Sequence, residues 1–257
     1  MTNAPTDDRK LSRRAALASL ATGAASVGLG GCWTTEFYRY KLVLSVETDE
    51  GLKTGSTVVE VRHHQSMIKI GGGSGASASY VGESLYLDTG IGRKPIVALL
   101  DRKTGPTRLN RRYTWADDWD GGGCIGLLSR LADVEPRGLS TTVILERINH
   151  LARTGRLKWP LELSTSELPD LVTFADPRDP HTIELVDPDN LPATLGADIR
   201  WAKLGLGLTK EPVTTGLEKK LPWLAKLVPG QGSIVGTSFK GRLGLMHDLT
   251  KYNFRRP

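Results

Sequence analysis

The segment YRYKLVLSVET constrains the fold more than any other stretch of the chain. Tyr38, Tyr40, Leu42, Leu44 and Val46 alternate with Arg39, Lys41, Ser45 and Glu47, and apolar–polar alternation of period two marks a strand with one buried face. TDEGLKTGS then supplies turn residues. STVVEVR resumes the alternation, with Thr57, Val59 and Val61 against Val58, Glu60 and Arg62. Together they predict an antiparallel hairpin with a long connecting loop. SMIKI, ESLYLD and PIVALLD predict further strands, and Ile96–Leu100 is apolar enough without interruption to be buried on both faces.

The second half carries weaker signals. LSTTVILERINHLARTG places Ile144, Ile148 and Leu151 at helical spacing and stops at Gly155. LVTF and TIELV read as short strands around the turn ADPRDPH, and DPDNLPATLG as one helical turn. IRWAKLGLGLT alternates again through Leu204, Leu206 and Leu208. In PVTTGLEKKLPWLAKLVPG, Thr215 and Glu218 form a capping-box pattern, and Leu217, Leu221, Leu224 and Val228 share a helical face. Pro222 costs about 3 kcal/mol inside a helix, so two short helices are expected there. The predicted class is α+β and β-rich: an antiparallel N-terminal meander or sheet with a few short helices packed on it.

The N-terminus carries a different message. Arg9, Lys10, Arg13 and Arg14 precede an uncharged run from Ala15 to Gly31, rich in alanine and glycine, which ends at Cys32. A permanent membrane helix needs about 20 strongly apolar residues, whereas a segment inserted briefly and then cut needs fewer. Ser12-Arg13-Arg14 followed by Leu17 resembles a twin-arginine export signal, with Ala16 where that family has a bulky apolar residue. Leu29-Gly30-Gly31-Cys32 resembles a bacterial lipobox. The resemblance implies a cleaved signal peptide over 1–31, lipid attachment at Cys32 and a lipidated tether over 32–36; the strand alternation then makes 37–257 one β-rich domain. The resemblance also implies a membrane-anchored lipoprotein of the cell envelope, facing the periplasm or the exterior. Each buried methylene contributes about 0.8 kcal/mol, so several acyl chains on one residue hold firmly.

Charge and cysteine content narrow the partners. The chain carries +6, and residues 1–31 hold four basic and two acidic residues, leaving +4 beyond them. No dense basic run precedes the tail, which argues against nucleic acid. Once Cys32 is acylated, Cys124 is the one remaining cysteine, so no intramolecular disulfide can form; a lone cysteine is usually a small buried hydrophobe.

Catalytic patterns fail one after another. Gly73–Ala78 fits G-x-G-x-x-A, but a strand, not a phosphate-facing helix, is expected next. Ser66 and Lys69 match S-x-x-K, with Lys103-Thr104-Gly105 downstream, yet strand alternation sends Ser66 and Lys69 to opposite faces. The histidines His63, His64, His150, His181 and His247 have no metal-ligand spacing. No catalytic residue, metal site or cofactor is therefore assigned.

One loop retains ligand-like chemistry. RLNRRYTWADDWDGGG interleaves Tyr113, Trp115 and Trp119 with Asp117, Asp118 and Asp120. Aromatic faces stack on sugars or cations, and carboxylates hold hydroxyls or charge. It is the candidate ligand loop, with an envelope protein or glycan as the partner expected. Two functional classes follow: a binding or scaffolding module, or an exported hydrolase of envelope polymers using the Asp117–Asp120 acids. The tail, FKGRLGLMHDLTKYNFRRP, is basic, and its end Arg255-Arg256-Pro257 is expected to be exposed and to touch an anionic leaflet. YRYKLVLSVETDEGLKTGSTVVEVR and EPVTTGLEKKLPWL are similar to segments of a bacterial exported-protein family, a resemblance that implies no particular activity.

Overall fold

The structure is a computed structural model. It describes residues 33–66, 76–100, 160–196, 198–227 and 249–256, with scattered positions between 143 and 156. All of these belong to the unit Cys32–Pro257.

The alternating segments form the hairpin. Strand β1, Trp33–Thr48, pairs with β2, Gly51–Ser66, in one unbroken antiparallel register from Trp33↔Ser66 to Thr48↔Gly51. The expected long loop is instead a turn at Asp49 and Glu50, closed by Gly51 at φ 101°, a conformation glycine adopts without steric cost. Residues 33–36, read above as tether, are paired strand. β3, Ala76–Glu83, continues the meander beside β2. β9, Arg200–Leu208, returns to pair with the other side of β1, with a register shift at Ser45/Val46. β6, Leu161–Glu162, lies outside β9, and β10, Arg255–Arg256, outside β3. The sheet order is β10-β3-β2-β1-β9-β6.

A second antiparallel sheet, β4-β5-β7-β8, consists of Leu85–Leu87, Ile96–Ala98, Leu171–Phe174 and Ile183–Leu185. One of its faces meets the large sheet: Leu85, Leu87, Ile96, Ala98, Leu100 and Leu171 share a core with Tyr38, Tyr40, Leu42, Leu44, Val46, Val59 and Val61. Its other face, with Val97, Leu99, Val172 and Phe174, packs on Leu217, Leu221, Trp223, Leu224, Leu249 and Phe254. Ile96–Leu100 is buried throughout because it is covered from both sides. The domain is thus a β-rich α+β fold in three layers: large sheet, small sheet, and a cover of short helical turns.

The cover differs in detail from the sequence pattern. Leu217–Lys219 and Pro222–Lys226 are two short helices as expected, but of the tighter 3-10 form. Pro222 starts the second, where its missing N–H costs nothing. The Thr215–Glu218 capping box does not form. Gly216 occupies the cap, the N–H of Leu217 donates to the buried Glu83 carboxylate at 2.7 Å, and Glu218 turns to Arg255. A carboxylate distant in sequence has displaced the local cap.

The tail is also corrected. Arg255 and Arg256, expected to be exposed, are partly buried and pair with Glu83 and Gly82 as β10. Arg255 binds the carboxylates of Glu83 and Glu218, and the Arg256 guanidinium lies 3.8 Å from the centre of the Tyr80 ring. Phe254 and Asn253 just before them are buried and stitched by backbone bonds to Ser84 and Leu100.

Candidate functional site

The residues singled out from sequence, Ser12, Arg13, Arg14, Cys32, Tyr113, Trp115, Asp117, Asp118, Trp119 and Asp120, lie outside the described residues, as do Cys124 and His247. His63 and His64 take successive places in β2 with no bulge between them, so the backbone irregularity needed to share one ion is not there. Among the described residues no three metal-ligating side chains come together. No helix among them is long and apolar enough to cross a membrane.

Two features of the described surface carry chemistry. The first is on the face of β1 and β2 that points away from the small sheet. Arg39 and Arg62 both grip the carboxylate of Glu60, at 2.8 and 2.7 Å, and Lys41 binds Glu211 at 2.8 Å. Burial by itself would raise the Glu60 carboxyl, but the hydrogen bonds and charges of Arg62 and Arg39 outweigh it and hold the group below its ordinary range. The cluster satisfies itself: a buried acid is held by two half-exposed cations, which organises the sheet face more than it offers a free charge.

The second feature is a groove at the tip of the hairpin. Glu47, Thr48, Asp49, Gly51, Leu52, Asp198 and Arg200 line about 380 Å³. The pairing of β1 with β9 sets Glu47 opposite Arg200, bringing positions distant in the chain into one rim. Arg200 binds Glu47 through Nε at 2.6 Å, with both side chains largely in solvent. Asp198 is exposed and makes no ion pair among the described residues. Leu52, 63 % exposed, gives the groove an apolar wall.

The tip is held stiffly. The Thr48 hydroxyl donates to the Gly51 carbonyl at 2.9 Å, and Lys53 binds Glu50 at 2.9 Å. The loop after β4 leans against it: Arg93 binds Asp49, and a Cβ added at Gly90 would come within 2.6 Å of the Glu50 carboxylate. That loop carries Ile91, 92 % exposed, between two glycines of positive φ. Sequence reading passed the tip over as turn composition. The available signal was an apolar residue beside glycine in each turn, Leu52 after Gly51 and Ile91 between Gly90 and Gly92.

No protein-family model matches the chain, and no curated protein or solved structure matches it. The groove offers carboxylates, one guanidinium and exposed aliphatic surface, with no nucleophile–base pair. Such a surface suits recognition of a charged, partly apolar ligand.

Proposed function

We propose that the chain is a lipoprotein of the bacterial cell envelope, exported on its twin-arginine leader and lipidated at Cys32. Its β-rich domain binds or scaffolds an envelope protein or glycan. One observation carries the reading: a basic pair, a mild apolar run, small residues and a cysteine stand in that order from Arg13 to Cys32.

The fold suits this role. β1 begins at Trp33, the residue after Cys32, and runs to Thr48 at the tip. At about 3.3 Å per residue the strand is roughly 50 Å long, so a lipid on Cys32 and the groove would occupy opposite ends of one stiff hairpin. The same rise puts the Arg255–Glu83 contact, level with Val58 and Lys41, about 26 Å along the strand from Trp33. That is well beyond a Debye length of about 8 Å, and the tail arginines are engaged already.

Mass spectrometry of the chain purified from membranes tests the proposal. The expected product begins at Cys32 and carries the added mass of acyl chains, and the precursor accumulates when Arg13 and Arg14 become Lys. An intact Met1 terminus or an unmodified Cys32 refutes it. Release of fragments from envelope glycan, lost in Asp117→Asn and Asp120→Asn, would replace the binding role with a hydrolytic one.

A further inference from the structure

We infer that the hairpin tip is a docking surface for a basic, apolar segment of another polypeptide. This names the partner class for the binding role proposed above and rests on that reading. Charge gives the first argument. The groove is lined by Glu47, Asp49 and Asp198 against Arg200; Asp49 is taken by Arg93, so the rim carries a local −1, with the Asp198 carboxylate exposed. A net negative rim favours a cationic segment and disfavours an anionic one.

The second argument is apolar. Among the described residues three large hydrophobic side chains are more than half exposed, Phe37, Leu52 and Ile91, and the last two sit at this end of the domain. The ion pair from Arg93 to Asp49 and the packing of Glu50 against Gly90 join the two loops that carry them. An apolar centre within a polar rim is the common anatomy of a recognition surface. A lone cation would use the carboxylates and leave Leu52 in water; a segment with alternating basic and aliphatic residues uses both.

The third argument is availability. Asp198 makes no ion pair among the described residues, and the Glu47–Arg200 pair is exposed on both sides, with side chains 46 % and 78 % accessible. Pairs of this kind contribute little to stability, so an incoming guanidinium can take Glu47 from Arg200 at small cost. Thr48, Lys53 and Arg93 hold the tip in place, which limits the entropy lost on docking.

The test uses the full chain and three fluorescent probes at low salt: an alternating Arg-Leu hexapeptide, an alternating Glu-Leu hexapeptide, and labelled spermine. Fluorescence anisotropy is expected to show the Arg-Leu peptide binding at least about five-fold more tightly than spermine, with no binding of the Glu-Leu peptide. Asp198→Asn and Leu52→Ser, both at exposed positions, should each weaken the Arg-Leu complex about five-fold while leaving the melting temperature unchanged. Equal binding of spermine and the Arg-Leu peptide reduces the site to diffuse charge and overturns the inference. So does binding that neither substitution changes. The assay does not depend on the lipid, so an unmodified Cys32 would sink the envelope reading and leave this result standing.

Discussion

The two faces of the small sheet are buried against different materials. Toward the large sheet the core is mostly aliphatic and comes from long paired strands: Leu42, Leu44 and Val46 against Leu85, Leu87 and Ile96. Toward the cover it centres on aromatic rings from separate short elements. Trp223 meets Phe254 edge-on at 5.3 Å, and Phe174 lies 5.8 Å from Trp223 and 6.4 Å from Phe254. The first core follows from periodic local sequence. The second is held by a few large residues that meet only after folding, and each therefore carries a larger share.

Truncation at the centre of each core tests that contrast. Phe254→Ala is expected to cost about 3–5 kcal/mol and Leu44→Ala about 2–5 kcal/mol. In a domain of this size each kcal/mol lowers the melting temperature by about 2–4 °C. Both residues are fully buried, and β5 contributes to both cores, so one cooperative transition should move in each variant. A calorimetric trace in which Phe254→Ala creates a separate early transition would show the cover to be an independent unit.

Glycines of the large sheet sharpen the comparison between its inner and outer faces. A Cβ at Gly55 would meet the Tyr86 carbonyl oxygen at 2.9 Å and the Leu87 Cα at 3.1 Å, where β4 crosses β2. Neither backbone atom can swing aside, so Gly55→Ala is expected to cost about 1–3 kcal/mol. At Gly205 the nearest atom, on the flexible Lys203 side chain, is 3.6 Å away. Gly205→Ala should be neutral or stabilise by up to about 1 kcal/mol, because it restricts the unfolded chain. Equal denaturation midpoints for the two variants would contradict this close approach of the sheets.

What the sequence disclosed follows the same division. Tyr38–Val46 and Leu204–Leu208 were legible because one face of the large sheet is covered and the other is not, which writes a period of two into the chain. Ile96–Leu100 was legible as an unbroken apolar run because two layers cover it. β3 was hidden: ASASYVG is mostly small residues, and its register with β2 identifies it as a strand. The cap at Leu217 was misread because Glu83, more than a hundred residues earlier, supplies the acceptor. The tip groove was invisible for the same reason. Asp198 and Arg200 reach Glu47 through the β1–β9 pairing, and no local spacing encodes a pairing across that distance.

The smallest expected effect concerns the outer face, where Glu60 is the one buried acid between Arg39 and Arg62. Its folded-state carboxyl is held below the ordinary value of about 4.5 even though burial opposes ionisation. A group depressed in the folded state binds its proton more readily when the chain unfolds. Its contribution is therefore complete above about pH 4.5 and is lost as pH falls through the lower folded value. Melting temperatures measured from pH 7 to pH 3 should fall more steeply for the native chain than for Glu60→Gln, which has no proton to take up at this position. The two curves should run parallel above pH 5 and converge below pH 4.5. Arg39→Met should flatten the native slope only in part, because Arg62 still holds the carboxylate from the other side at 2.7 Å. Curves that remain parallel down to pH 3 would mean that the paired guanidiniums leave the carboxyl no more acidic than it is in the unfolded chain.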